Sequence, residues 1–184
     1  MSSRAPAAGR AVFLDRDGVI NRRLPGAYVR RWEEFRFCPG ARAGMRLLRE
    51  AGYLLVVFTN QRGIGRGLMT EEDLAAVHGR MAAELARAGA PVEAIYHCPH
   101  DVHEGCDCRK PMPGMLRRAL ARFPVDPLRS WVIGDSLSDL QAGDALGIPG
   151  ILVAPRGADR PPGVRAAGSL LAAARLVTGA RVGR

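Results

Sequence analysis

Ala11-Val12-Phe13-Leu14-Asp15-Arg16-Asp17-Gly18 sets four apolar residues directly before two acids and a glycine. A run that is apolar at every position, without alternation, reads as a strand covered on both faces, the condition inside a parallel sheet. The abrupt change to acids marks the sheet's carboxyl edge. The same pattern repeats outward along the chain. Pro39-Gly40 opens an amphipathic helix with Met45, Leu47 and Leu48 on its apolar face and Gly52 at its end, and residues 53–58 form the second strand. Thr70-Glu71-Glu72-Asp73 is a helix start, with Thr70 placed to cap the third helical amide of a helix running to about Gly89. Residues 93–97 are the third strand, and Pro113 suits the first turn of a helix that reaches toward Phe123. Residues 131–134 and 151–154 are the fourth and fifth strands, separated by a helix over 137–146. A Pro/Gly/Arg stretch over 155–164 reads as a surface loop before a last helix over 169–177. The alternation predicts an α/β, Rossmann-like parallel sheet with helices on both faces.

In an open sheet of this kind, ligands bind outside the carboxyl ends of the strands, so the residues following each strand belong together. They are Asp15-Arg16-Asp17-Gly18 after the first, Thr59-Asn60-Gln61 after the second, Arg109-Lys110-Pro111 after the third and its loop, and Asp135 to Asp139 after the fourth. Side chains alternate along an extended segment, so Asp15 and Asp17 face one pocket while Arg16 points away. Two carboxylates this close repel each other and any phosphate unless a cation joins them. With Asp135 as a third, they offer the hard oxygen ligands that Mg²⁺ takes. Of the 27 basic residues only Lys110 is a lysine, which suggests a site needing a compact ammonium instead of a planar fork.

These four motifs, in this order, resemble the haloacid dehalogenase superfamily of phosphatases. The resemblance implies that Asp15 is the nucleophile and becomes an aspartyl-phosphate. It implies that Asp17 protonates the leaving alkoxide and then deprotonates the hydrolytic water. Asp15, the backbone carbonyl of Asp17 and Asp135 would hold Mg²⁺, and Thr59 and Asn60 would hydrogen-bond the phosphoryl oxygens. Lys110, with Arg109 beside it, would neutralise those oxygens, and Asp139 would orient Lys110 or a magnesium-bound water. Val19 stands where the family commonly has Thr, which removes one minor hydrogen bond. The segments between strands are too short for a separate cap domain, so the resemblance implies a capless fold with an open site shaped by residues 22–37 and a cysteine loop.

That loop holds three of the four cysteines. Cys98-Pro99-His100, then Cys106-Asp107-Cys108, gives three thiolates and an imidazole, a closed set suited to a structural, tetrahedral Zn²⁺. Arg109 and Lys110 follow the last ligand directly, so the clamp would set where these charges point. His97 and His103 are alternative ligands, and Cys38 reads as an inert packed thiol. The loop is similar to that of the branch holding the D-glycero-D-manno-heptose 1,7-bisphosphate phosphatases and the histidinol-phosphate phosphatases. Gly26-Ala27-Tyr28-Val29, Thr59 to Gly67 and Lys110 to Met115 resemble the heptose enzymes, whereas the short gap from His100 to Cys106 is more like the histidinol enzymes. The three substrate-side stretches outweigh one loop length. On that resemblance Tyr28 and Arg62 contact the sugar or its second phosphate. Gly63, Gly65 and Gly67 lack the following Lys-Ser/Thr of a phosphate-cradling loop and read as a flexible substrate lip. His78, on a helix, reads as a satisfied histidine and not a catalytic one.

Composition bounds the rest. At 184 residues the chain suits one domain, 1–184, with residues 1–9 flexible. Hydrophobic residues at 47% and charged residues at 24% are ordinary globular usage and argue against disorder or a repeat architecture. No apolar run approaches the ~20 residues a membrane helix needs, and the start lacks a hydrophobic signal core, so a cytoplasmic protein is expected. The net charge of +9 suits a polyanion, but the basic residues are scattered and have few aromatics between them to stack bases. The expected partner is therefore a small phosphorylated molecule, with no membrane and no nucleic acid, and a monomer is the default. Two rivals follow from the charge and the open mouth: a polynucleotide phosphatase, and a non-enzymatic zinc-stabilised nucleic-acid-binding module.

Overall fold

The structure is a computed structural model that describes residues 9–155, 157–158 and 161–180. Six strands, β1 (Ala11–Leu14), β2 (Leu54–Asn60), β3 (Ala94–Cys98), β4 (Trp131–Gly134), β5 (Gly150–Val153) and β6 (Ala166–Ala167), form one sheet in the order β3-β2-β1-β4-β5-β6. Every pairing is parallel. Four helices connect strands, α1 (Ala41–Glu50), α2 (Glu71–Arg87), α3 (Gly114–Arg122) and α4 (Leu137–Asp144), and a fifth, α5 (Leu170–Thr178), follows β6.

The unbroken apolar run of β1 is explained by two cores. Val12 and Leu14 join Leu55, Val57 and Ile133 in a cluster with Met45 and Leu48 of α1, Val77, Met81 and Leu85 of α2, and Leu170 of α5. Ala11 and Phe13 point the other way and pack with Val56, Phe58 and Val132 against Met115, Leu116 and Ala119 of α3 and Ala142 of α4. Alternate residues thus face opposite layers and both layers are covered, so no position on β1 is left for a polar residue. The chain builds outward from β1 to β3, then crosses back to place β4 on the other side of β1. The direction of winding changes between β1 and β4, and this switch point leaves a crevice at the strands' carboxyl ends. Asp15 and Asp135 leave the sheet side by side, at the ends of the neighbouring strands β1 and β4.

The helix starts are chemically defined. Thr70 Oγ1 accepts from the Asp73 N–H at 3.1 Å while Asp73 Oδ2 accepts from the Thr70 N–H at 2.9 Å, a reciprocal cap of the kind that contributes ~1 kcal/mol. Observed bounds lie within about two residues of those expected, with instructive exceptions. β2 continues through Thr59 and Asn60 because its ladder with β3 extends to Thr59↔His97 and Asn60↔Cys98. The two-residue β6, paired to Leu152 and Val153, is too short to carry a pattern of its own. Short 3₁₀ turns at Trp32–Glu34 and Pro127–Arg129 were likewise not expected. Residues 1–8 of the expected flexible start lie outside the described residues. Gly9 is not loose: its N–H donates to the Pro124 carbonyl at 2.8 Å and its carbonyl accepts from Asp126 at 2.9 Å. Within the expected surface loop, residues 156 and 159–160 lie outside the described residues. No helix among the described residues is long and apolar enough to cross a membrane.

Candidate active site

Asp15, at the end of β1, is 5% exposed and meets the Lys110 ammonium, with Nζ 2.7 Å from Oδ1. Lys110 is also buried. Its Nζ lies 2.6 Å from Asp139 Oδ1, donates to the Phe58 carbonyl at 3.1 Å, and sits 4.4 Å from the centre of the Phe58 ring. Such an enclosure fits a compact ammonium, as the lone lysine in the sequence suggested. Asp139 thus meets Lys110 through Oδ1, while its Oδ2 caps α4 by accepting from the Ser136 N–H and hydroxyl at 2.9 Å each. Two glycines admit this crowding. A Cβ on Gly18, at φ +96°, would lie 1.9 Å from Asp135 Oδ2, and one on Gly134 would lie 2.2 Å from the Asp139 Cβ.

Carboxylate oxygens of Asp15, Asp135 and Asp139 all lie within 4.8 Å of one another. Burial pushes the Asp15 carboxyl up to about 7, against the pull of Lys110, and lifts Asp135 to about 6, against the pull of Arg23. Burial would drive the Lys110 ammonium down, but Asp15 and Asp139 hold it above its ordinary value. An acid cluster this reluctant to ionise fits a hard divalent cation. Asp15 and Asp135, with the Asp17 carbonyl, are oxygen donors of the type Mg²⁺ takes. The exposed Arg23 already contacts Asp135 Oδ1 at 2.7 Å.

Asp17 sits in a cage of donors. Its Oδ1 accepts from Arg16 Nη2 at 3.1 Å and Asn21 Nδ2 at 2.9 Å, and its Oδ2 accepts from Arg16 Nε at 3.1 Å and Gln61 Nε2 at 2.9 Å. Although burial pushes this carboxyl up, Arg16, Asn21 and Gln61 hold it below the ordinary carboxylate value. Arg16 does not point away from the site as strand alternation suggested. The chain turns just past β1, where the amides of Ile20 and Asn21 bond back to the Arg16 carbonyl, so the guanidinium folds onto its neighbour. Gln61 also donates to Thr59 Oγ1 at 2.8 Å, fixing the hydroxyl that lines the same pocket. No local sequence signal marks Arg16, Asn21 or Gln61 as partners of Asp17.

The pocket over Asp15 has a volume of about 280 Å³ and includes Asp17, Thr59, Asn60, Arg109 and Lys110. Asn60 differs from expectation. Its amide latches the Lys110 backbone, Oδ1 accepting from the N–H at 3.1 Å and Nδ2 donating to the carbonyl at 3.3 Å, which leaves one amide hydrogen for a phosphoryl group. Arg109 lines the pocket while Nη1 donates to the His100 carbonyl at 3.3 Å.

A second cavity of about 370 Å³ adjoins the first and shares Asp17, Arg23 and Asn60 with it. Tyr28 lines it and Arg62 does not. Arg62 is ion-paired with Asp101 on the cysteine loop, and Arg66, one turn further along the lip, takes the place beside Tyr28. The lip is tied to that loop by Gln61 N to the Cys98 carbonyl at 2.7 Å and Gly65 N to the Pro99 carbonyl at 2.9 Å.

Cys98, His100, Cys106 and Cys108 come together as expected. Cys98 Sγ lies 3.6 Å from Cys106 Sγ and 3.5 Å from His100 Nδ1, and Cys108 Sγ lies 3.3 Å from His100 Nδ1. Tetrahedral zinc, with Zn–S near ~2.3 Å and Zn–N near ~2.0 Å, implies spacings of about 3.8 Å and 3.5 Å, so the donors fit it. Burial pushes the Cys98 and Cys108 thiols up, whereas at Cys106 the Arg109 backbone N–H, with hydrogen bonds from the Cys108 and Cys98 thiols, overcomes that push and brings it down to about 7. His97 instead contacts Glu71 at 2.8 Å, and Cys38 is a half-buried free thiol.

Comparison with known proteins agrees with this arrangement. A family model described as HAD-hydrolase-like matches residues 107–172. The D-glycero-alpha-D-manno-heptose-1,7-bisphosphate 7-phosphatase of Mycobacterium tuberculosis is 46% identical over 131 residues, covering 71% of this chain and 69% of that protein. The D-glycero-beta-D-manno-heptose-1,7-bisphosphate 7-phosphatase of Rhodopseudomonas palustris is 46% identical over 148 residues, covering 76% and 81%. The crystal structure of D,D-heptose 1,7-bisphosphate phosphatase from B. bronchiseptica, complexed with magnesium and phosphate, superposes with a TM-score of 0.84 at 38% identity, covering 93% of this chain and 99% of that one. With its acids at the switch point, its lysine between them and relatives matched over most of their length, the chain belongs to the haloacid-dehalogenase-like hydrolases, in the heptose-bisphosphate phosphatase family.

Proposed function

We propose that the chain hydrolyses the C7 phosphate of D-glycero-D-manno-heptose 1,7-bisphosphate through an aspartyl-phosphate on Asp15, as a single domain whose site is complete within one chain. The observation that carries the substrate class is the pair of adjoining cavities. The smaller, over Asp15 and Lys110, suits the phosphate that reacts, and the larger, with Arg23, Arg66 and Tyr28, suits a sugar bearing a second anion. A monophosphate of an amino alcohol would bring no second anion to Arg66; Arg23 is already paired with Asp135. Residence in the cytoplasm is supported by four unpaired cysteines, three of them in a zinc-type cluster that a reducing compartment preserves. We take a monomer as the working unit.

Asp15 attacks phosphorus in line, and the bond from phosphorus to the sugar oxygen breaks as that oxygen takes a proton from Asp17. The donors around Asp17 hold it as a carboxylate in the free site, and it takes up a proton once the phosphate's negative charge lies beside it. The Asp17 carboxylate then takes a proton from water as the water oxygen bonds to phosphorus. The bond from phosphorus to Asp15 breaks, and inorganic phosphate leaves. Thr59, one amide hydrogen of Asn60, and Lys110 bind the phosphoryl oxygens, with Arg109 adding charge at the rim. Mg²⁺ held by Asp15, the Asp17 carbonyl and Asp135 would withdraw charge from those oxygens. Zn²⁺ on Cys98, His100, Cys106 and Cys108 would fix the loop that precedes Arg109 and Lys110.

The test is phosphate release, with Mg²⁺, from both anomers of the heptose bisphosphate, from histidinol phosphate and from a 5′-phosphorylated oligonucleotide. One or both heptose anomers should exceed the other two substrates in kcat/KM by more than about tenfold, the least that a lost charged contact gives. Equal or greater kcat/KM on histidinol phosphate or the oligonucleotide would contradict the reading.

A further inference from the structure

Behind Asp17 lies a buried pair that the phosphoryl chemistry leaves unassigned. Arg16 heads the largest fully buried side chains, at 1% exposure, and His78 of α2 is 8% exposed. Taking a guanidinium out of water is unfavourable unless its donors find partners. Here Nε and Nη2 fork onto the two oxygens of Asp17, and Nη1 meets His78 Nε2 at 3.1 Å. Arginine stays protonated, so Nη1 donates, Nε2 accepts, and His78 is neutral with its proton on Nδ1. Leu74, Val77 and Met81 bury the same face of α2, which fixes the height of His78 above the end of β1.

The guanidinium is planar, so holding Nη1 sets the plane of the whole group, and a carboxylate that forks onto Nε and Nη2 must share it. Asp17 stands on a turn beyond β1, where an isolated bridge to Asn21 ties its backbone, and its carboxylate is oriented by side chains: Asn21 and Gln61 hold one oxygen each and Arg16 reaches both. We propose that Arg16, aligned by His78, is a positioning residue for Asp17, setting the orientation from which Asp17 gives its proton to the leaving alkoxide and takes one from the hydrolytic water. This rests on the assignment of Asp17 as acid and base. An ion pair that served the fold alone would be indifferent to the leaving group, whereas a device for proton transfer matters only when a proton is transferred.

The experiment compares the wild-type enzyme with His78→Leu, His78→Gln, Arg16→Lys and Asp17→Asn, all with Mg²⁺, on the heptose bisphosphate and on p-nitrophenyl phosphate by rapid mixing. Nitrophenolate leaves without a proton, but hydrolysis of the phosphoenzyme still needs the base. His78→Leu should lose more than about tenfold in kcat on the bisphosphate, part of the 10²–10⁴ that acid–base catalysis contributes, with KM unchanged within about twofold. On the aryl phosphate it should keep its first phase and show a burst near one nitrophenolate per site. His78→Gln, whose Oε1 accepts from Nη1, should recover to within about threefold of wild type. Arg16→Lys, which cannot fork, should behave like His78→Leu.

Wild-type kcat on the bisphosphate in folded His78→Leu, an equal loss in the first phase of both substrates, or a Gln variant no better than Leu would each overturn the proposal. If His78→Leu does not fold, Arg16→Lys decides: lacking the leaving-group pattern, it overturns the claim. Asp17→Asn separates the two readings. If it shows the pattern and the Arg16 and His78 variants do not, only the positioning role fails; if it does not show it, the acid–base assignment fails first.

Discussion

Lys110→Met removes the one ammonium between Asp15 and Asp139 while keeping the length of the stem. Each carboxylate lies under 3 Å from Nζ, at 2.7 and 2.6 Å. At an effective dielectric near 20, a unit pair at that range attracts by about 6 kcal/mol, most of which the desolvation of the buried groups offsets. The cost of truncating one partner of a buried pair is therefore on the order of 3–5 kcal/mol, which for a chain of this size lowers the melting temperature by roughly 6–20 °C in metal-free buffer. The stranded carboxylates relieve the strain by protonating, since Asp15 already sits near 7 with Lys110 present. A carboxyl whose folded pKa is raised binds more protons in the folded state, so its penalty is greatest above that pKa and shrinks as pH falls. The deficit against wild type should thus be largest near pH 8 and smaller near pH 5, read by denaturant melts in chelator. Turnover with Mg²⁺ should fall about 10²–10³-fold, as for loss of a charge-stabilising donor. A deficit below about 1 kcal/mol, or one that does not vary with pH, would refute the reasoning.

Gly18→Ala drives a methyl into Asp135 Oδ2, so the Mg²⁺ concentration for half-maximal activity should rise about 10–100-fold; an unchanged titration would separate Asp135 from the metal. Cys108→Ser should abolish bound zinc and lower the melting temperature by several degrees, and full zinc content would mean the ligand set is wrong. His78, pushed down to about 3 by burial and by the Arg16 cation, refuses in the fold a proton that the unfolded chain takes near 6.5. Stability should therefore fall as pH drops from 6.5 toward 3, by up to roughly 4 kcal/mol, and His78→Gln should flatten that part of the profile.

The sheet and the reacting groups were legible because each rests on a local pattern. Apolar runs stop at the residues of the candidate site, so Asp15, Thr59 and Asp135 are legible at strand ends and Lys110 as the lone lysine, and the thiol spacing picks out the Cys₃His cluster. What was not legible depends on contacts distant in sequence. Strand alternation turned Arg16 outward, but alternation ends where β1 ends, and the turn at Ile20 and Asn21 folds the guanidinium back onto Asp17. Arg62 and Arg66 both stand on the lip. Which of them faces the cavity is decided by Asp101 and Pro99 of the cysteine loop, far along the chain. Asn60 looked free to bind phosphate until β2 proved two residues longer than its apolar run and set the amide against the Lys110 backbone.

The central claim is that the first carboxylate after β1 bonds transiently to phosphorus. Acid-quenching the enzyme during turnover with Mg²⁺ and the heptose bisphosphate, followed by proteolysis and peptide mass spectrometry, tests it directly. A phosphoryl group on Asp15, absent when the substrate is chased to completion, is the predicted result. An adduct on another residue, or none under conditions where product is forming, would contradict it.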